Sequence, residues 1–152
     1  MAHDIQLKRI YAAPEADDGA RVLVDRLWPR GKRRDTLALN DWYRDASPSN
    51  GLRRDWHQNR ISHAVFTRRY RWEIADSVGC LLPLMRLARH GRLTLLSAAR
   101  DLEQSHLPIL RKALLTALAE EDREADGRTL SSPPCYAAAL ASAPADDQRT
   151  DS

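Results

Sequence analysis

Asp25, Arg26 and Arg30 follow directly on an apolar run, Val22-Leu23-Val24, in the stretch Arg21-Val-Leu-Val-Asp-Arg-Leu-Trp-Pro-Arg-Gly31. A second set, Ser97-Ala98-Ala99-Arg100-Asp101 and then Ser105-His106, follows another apolar run, Leu93 to Leu96. A third, Arg53 and His57, is spaced i, i+4 and shares one face of a helix. These residue types serve anion binding and proton transfer. A guanidinium matches the planar, bidentate geometry of a carboxylate or phosphate. A carboxylate and an imidazole exchange protons near neutral pH. Asp25 or His106 is therefore the candidate acid/base, and Arg26, Arg30, Arg53, His57, Ser97, Arg100 and Asp101 the candidate ligand-binding set. At His106, in a first helical turn, the helix dipole disfavours the cation and favours a neutral ring. A structural reading stands beside each of these: Asp101 as a helix cap, His106 packed on the sheet, and Arg53 and His57 on a surface helix with Trp56 in the core.

These groups need a scaffold that brings them to one place. Residues 5–11 partly alternate apolar and polar and predict a first strand; 21–26 and 93–97 predict two more. Trp28-Pro29 ends the second and shapes the loop that follows, with Leu27 expected to pack beneath it. Asn40 predicts a cap for a short helix over 41–45. Ser49 or Asn50 caps another through about Trp56. Ser62 caps a third over 63–77, with Phe66, Tyr70 and Ile74 as its inner stripe and Arg68, Arg69 and Arg71 mostly outside. Residues 81–88 form a helix closed by His90-Gly91. The last helix ends at about Ala119; Pro108 in its first turn favours Ser105 as cap, and Leu107, Leu110, Leu114 and Leu118 form its core stripe. Strands alternating with helices predict an α/β domain with a small, mostly parallel sheet flanked by helices. In such sheets ligands bind beyond the carboxyl ends of the strands, where the first two sets fall and where the third joins them if its helix face meets the strand ends. Residues 3–119 make one compact domain on this reading, and 120–152 an acidic, low-order tail that holds at most a short helix over Tyr136–Ala141.

Composition narrows the function classes. No apolar run reaches the roughly 18 residues of a membrane span, and the N-terminus lacks the pattern of a secretory signal. The two cysteines, Cys80 and Cys135, have no partner motif and read as free thiols of a reducing compartment, so the cytoplasm is the expected location. Residues 1–119 carry 21 Lys+Arg against 13 Asp+Glu, whereas 120–152 carry 3 against 8, so a basic body precedes an acidic tail. The histidines lack metal-ligand spacing, no cysteine pair exists, and there is no P-loop, dinucleotide fingerprint or nucleophile elbow. No metal or cofactor is expected. The tryptophans at 28, 42, 56 and 72 are scattered over loop and helices, a pattern of packing rather than of a base-stacking platform.

Four stretches together resemble the YeaO-like proteins, a bacterial family defined as a domain of unknown function. They are Val22-Leu-Val-Asp-Arg-Leu-Trp-Pro-Arg-Gly31; Pro48-Ser49-x-x-Leu52-Arg53-x-x-x-His57; Phe66-x-x-Arg69-Tyr70-x-x-Glu73; and Leu93-Thr-Leu-Leu-Ser-Ala-Ala-Arg-Asp101. The resemblance covers residues 5–118 and implies a compact α/β domain of cytoplasmic bacterial proteins with no established reaction. Longer relatives carry a Cys-Ala-Glu…Cys-His-Arg pattern after the third strand. The matching positions here are Ser97, Ala98, Ala99, then Ser105, His106 and Leu107, so both cysteines and the acid are replaced.

The sequence supports a ranked set of functions. The first is an anionic small molecule, a phosphate or carboxylate compound, held in an Arg/His/Asp-lined cleft at the strand ends, with or without acid/base catalysis. The second is a nucleic-acid-associated module using Arg30 to Arg34 and the arginines of the 63–77 helix. The third is a non-catalytic, arginine-rich interaction protein whose arginines pair with neighbouring carboxylates.

Overall fold

The computed structural model describes residues 3–33 and 37–131, the side chains of Val78 and of residues 127–131 excepted. Arg34, Cys135 and the short helix expected at Tyr136–Ala141 lie outside the described residues. Contacts divide the chain after Thr116 into two units, 1–116 and 117–152.

The first unit is built on a four-stranded, all-parallel sheet in the order β1-β4-β2-β3. The strands are β1 (Ile5–Arg9), β2 (Ala20–Leu23), β3 (Asp41–Trp42) and β4 (Leu93–Ser97). β4 is central and wholly buried, which its leucine-rich run Leu93-Thr-Leu-Leu requires, with the Thr94 hydroxyl donating to the Asp18 carbonyl. The helices are α1 (Asn50–His57), α2 (His63–Asp76), α3 (Leu82–His90) and α4 (Leu107–Ser131). Ser49 and Ser62 cap α1 and α2 through their hydroxyls, accepting from the amides of Leu52 and Val65. Phe66, Tyr70 and Ile74 are the buried stripe of α2, and Arg68, Arg69 and Arg71 are exposed. Leu107, Leu110 and Leu114 are buried on α4. No helix among the described residues is long and apolar enough to cross a membrane.

Three expectations are corrected. Residues 41–45 are not a helix. Asp41 and Trp42 pair in parallel with Val22 and Leu23, and Arg44–Ala46 is a 3-10 turn. The Asn40 side chain accepts from the Arg21 amide at 2.7 Å, so it caps the start of a strand ladder instead of a helix. Trp42 and Tyr43 are the residues a pleated, half-buried surface favours. The last helix does not stop at Ala119 but runs on to Ser131. The apolar periodicity ends there, but Ala, Glu and Arg remain good helix formers without it. Leu27 does not pack under its loop; it is 58% exposed, and Pro29 takes the buried place.

A polar cluster that the sequence did not reveal lies against one face of the sheet. Asp18, at the end of the 3-10 turn Ala16–Asp18, is 1% exposed. It accepts from Arg21 Nη1 at 2.6 Å, from Lys8 Nζ at 3.1 Å and from the Glu15 amide at 3.0 Å. The other guanidinium nitrogens of Arg21 donate to the carbonyls of Ala38 and Leu37. Burial alone would push the Asp18 carboxyl up; the Glu15 amide, Lys8 and Arg21 together outweigh it and bring it down to about 2. Glu15, Asp17 and Asp18 bring carboxylate oxygens within 4.8 Å of one another, but Asp18 already serves the two cations.

Candidate functional site

Because the sheet is parallel, the exits of β1, β4 and β2 open on one side, and the connections leaving them wall a cleft of about 390 Å³. Tyr11 comes from the exit of β1, Asp25 to Arg30 from that of β2, and Ser97 to Ala99 from that of β4. Pro48, Arg53, Trp56 and His57 come from α1 and its approach, Phe66 from α2, and Ser105 and His106 from the segment before α4. Asp25, Arg26, Arg30, Arg53, His57, Ser97 and His106 thus share one cleft. Arg100 and Asp101 do not line it. Asp101 accepts from the Glu103 amide at 3.0 Å and caps the 3-10 turn Leu102–Gln104, the structural reading of that residue. Arg100 is exposed.

The loop from Asp25 to Gly31 is held by two indoles. Trp28 and Trp42 meet edge to face at 5.1 Å between ring centroids. Trp42 Nε1 donates to the Asp25 carbonyl, and Trp28 Nε1 to the Lys32 carbonyl, both at 2.8 Å. Both pack against the small core of Ile10, Leu23, Leu37 and Leu96. Gly31, at φ +77, supplies the positive backbone angle that turns the loop back.

The floor of the cleft is a hydrogen-bonded join between two strand exits. Asp25 Oδ1 accepts from Ser97 Oγ, and Oδ2 from the Ala98 amide, each at 2.7 Å. The Ser97 hydroxyl also accepts from the Ala99 amide at 3.1 Å. His106 Nε2 bonds the Val24 carbonyl and lies 3.5 Å from Asp25 Oδ1. A carbonyl only accepts, so Nε2 is the protonated nitrogen. The Tyr70 ring meets the imidazole edge-on at 5.9 Å, and its hydroxyl donates to the Ala46 carbonyl. Burial pushes the Asp25 carboxyl above its ordinary range, against His106, the Ala98 amide and Ser97. Burial also pushes His106 down, against the Asp25 charge and the Val24 carbonyl. A neutral ring was expected from the dipole of a first helical turn; His106 instead lies just before α4, and the chief cause is desolvation.

The arginines differ in what they hold. Arg26 donates to the carbonyls of Ser47 and Pro48 and ties the β2 exit to the start of α1. Arg53, in the wall of the cleft, has its Nε buried without a hydrogen-bond partner among the described residues. Sequence reasoning did not single out Tyr11, Pro48 or Phe66 as wall residues. The position of Tyr11 just beyond β1 was the available signal, because parallel neighbours share an exit side.

Comparison with known proteins agrees with the motifs. Residues 4–137 match the family described as the inactive DUF488-N3 subclade. The chain is 39% identical over 107 residues to the uncharacterized protein YeaO of Escherichia coli (strain K12), covering 70% of this chain and 93% of YeaO. It is 36% identical over 110 residues to the uncharacterized proteins Mb3100c of Mycobacterium bovis and Rv3073c of Mycobacterium tuberculosis, covering 72% of this chain and 92% of each. No solved structure matches it.

Proposed function

The chain belongs to the inactive DUF488-N3 subclade, and from that premise we propose that its cleft binds an anionic small molecule, a phosphate or carboxylate compound, without turning it over. Arg53 carries the reading. It lines the cleft, and its guanidinium has no hydrogen-bond or ion-pair partner among the described residues, so its charge is left for an anion there, with His57 one helical turn along the same face.

Most of the groups that a catalytic reading requires are already engaged, Nδ1 of His106 excepted. The Ser97 hydroxyl donates to Asp25, both Asp25 oxygens accept, and His106 Nε2 faces a backbone carbonyl. A nucleophile needs a base to take its proton, and a base needs a free lone pair aimed at the substrate. Here the serine proton goes to a carboxylate that also serves the Ala98 amide. These bonds favour an architectural role for Asp25, Ser97 and His106, with Arg53 as the ligand-facing charge.

The test is ligand-observed NMR with a panel of phosphate and carboxylate compounds, run on the wild-type chain and on Arg53→Gln. Binding by the wild type, weakened about tenfold or more in the variant and with no product formed on prolonged incubation, is the expected result. Equal binding by both proteins would remove Arg53 from the site, and turnover of any panel member would overturn the non-catalytic reading.

A further inference from the structure

The apolar part of the cleft wall differs in kind from the protein core. The core is largely aliphatic: Leu23, Leu52, Leu84, Leu93, Leu95 and Leu96 are among its most deeply buried side chains, with Phe66 and Tyr70 as its buried rings. The cleft is aromatic. Tyr11, Trp28, Trp56 and Phe66 line it, whereas Leu27 is its sole aliphatic side chain of leucine size. Four of the nine aromatic residues in the sequence therefore converge on one small cavity. Trp56 and Phe66 are stacked, with centroids 5.0 Å apart and planes 24° from parallel. Trp56 follows Arg53 by three residues on α1, so an indole and a guanidinium stand on adjoining positions of one helix face.

Most of the polar groups beside these rings are taken up by the protein itself, and Arg30, Arg53 and His57 are left among the described residues. Asp25, Ser97 and the Ala98 amide satisfy one another, and the Ser105 hydroxyl donates to the Leu102 carbonyl. An aromatic wall with a cation on it, and with few side chains left to read a polar edge, matches a flat ring bearing one anionic group.

We propose that the ligand of this cleft is a planar aromatic acid, whose ring lies against the Trp56–Phe66 wall and whose carboxylate or phosphate meets Arg53. The proposal rests on the anion-binding reading above and adds the chemistry of the ligand's body. The volume of about 390 Å³ stands at the lower end of the range for small-molecule pockets, consistent with one ring or a fused pair.

The experiment compares ligands that differ only in the ring. 2-Naphthoate is titrated against decahydro-2-naphthoate, its saturated counterpart of equal charge, and 2-naphthyl phosphate against inorganic phosphate. Affinity and the ring-current shift of the ligand protons are read by NMR. Each naphthyl compound should bind about tenfold or more tightly than its partner, a factor within the range of one ring–ring contact, and its protons should move upfield. Trp56→Leu should erase the preference for naphthoate while leaving decahydronaphthoate within about twofold. Arg53→Gln should weaken both alike. Tyr11→Leu, at a 41% exposed position in the wall, gives a second reading where Trp56→Leu melts early; it should reduce the same preference. Equal affinity for the aromatic and saturated acids, or a preference untouched by loss of the rings, overturns the aromatic ligand and leaves anion binding standing. Failure of all four probes to bind overturns both.

Discussion

The Ser97 hydroxyl and the Asp25 carboxylate face each other across the exits of β4 and β2, 2.7 Å apart, and the next amide of β4's exit, that of Ala98, takes the second carboxylate oxygen at the same distance. Two neighbouring strands are thus fastened just beyond the point where their ladder ends. The carboxylate belongs to the join itself, which is why a charged residue can follow directly on a core strand. The same join forms part of the floor of the cleft.

Ser97→Ala removes the hydroxyl from that join. Asp25 Oδ1 loses its donor and the Ala99 amide its acceptor, both in a half-buried setting. A buried group left unpaired costs about 1–3 kcal/mol, and the expected loss is about 2 kcal/mol in urea unfolding at neutral pH. Affinity for 2-naphthoate should change by less than about threefold, because Arg53 and the rings stay in place. A stability equal to that of the wild type would show that the bond contributes nothing to folding.

His106 predicts a pH dependence of known sign. Burial lowers its folded pKa below the ordinary 6.5, so in acid the unfolded chain takes up a proton that the folded chain refuses. Stability from this group is complete above the unfolded value and falls as pH drops below about 6.5. Asp25 acts in the opposite sense, because its raised carboxyl lets the folded state accept a proton first; His57 adds to the cost of a second positive charge nearby. His106→Gln keeps a donor for the Val24 carbonyl and removes the titration. Between about pH 7.5 and 5.5 the variant should lose less stability than the wild type in chemical denaturation. Parallel pH slopes would refute a neutral, buried His106.

Asp18 gives the acid limb of the stability curve. Its folded pKa of about 2 lies below the ordinary 3.8, so its contribution is present above 3.8 and is lost as pH falls toward 2. Asp18→Asn should flatten that limb. At neutral pH it leaves Arg21, 4% exposed, without its counter-charge. Breaking a buried pair from one side costs about 3–5 kcal/mol, and a midpoint shift of that size in urea is expected. A small shift would mean that the carbonyls of Leu37 and Ala38 hold Arg21 unaided.

What could be read from the sequence was what period and capping encode locally. The run Leu93 to Leu96 could only be a buried strand, and its limits at 93–97 agree with the structure. The serines at 49 and 62 announced α1 and α2 because a cap acts on its own helix. Residues whose partners are distant in sequence could not be read. Asn40 resembles a helix cap until Arg21 is placed beside it, and Asp18 looks like a turn residue until Lys8 and Arg21 close on it. The meeting of Asp25 with Ser97 was legible because parallel strands end side by side, whereas Arg100 and Asp101, expected beside them, lie outside the cleft. The rings that face them were not, since Tyr11, Trp28, Trp56 and Phe66 belong to four separate elements or loops.

Gly19→Ala tests whether the turn into β2 tolerates a side chain at all. Gly19 has φ +69 and ψ −137, a backbone region that is nearly closed to other residues. A Cβ there would meet the Arg92 carbonyl oxygen at 2.2 Å. That oxygen accepts from the Ala20 amide at 3.0 Å, so it cannot retreat without opening the start of the β2–β4 pairing. The strain of the angles is about 1–3 kcal/mol and the clash adds to it, for an expected loss of at least about 3 kcal/mol in urea unfolding. Gly31→Ala is the control: its φ is similarly positive, at +77, but a Cβ there meets nothing within 4 Å. Its cost should be limited to backbone strain and fall clearly below that of Gly19→Ala. Equal losses at the two glycines would mean that the backbone angle alone, and not the Arg92 contact, requires glycine at position 19.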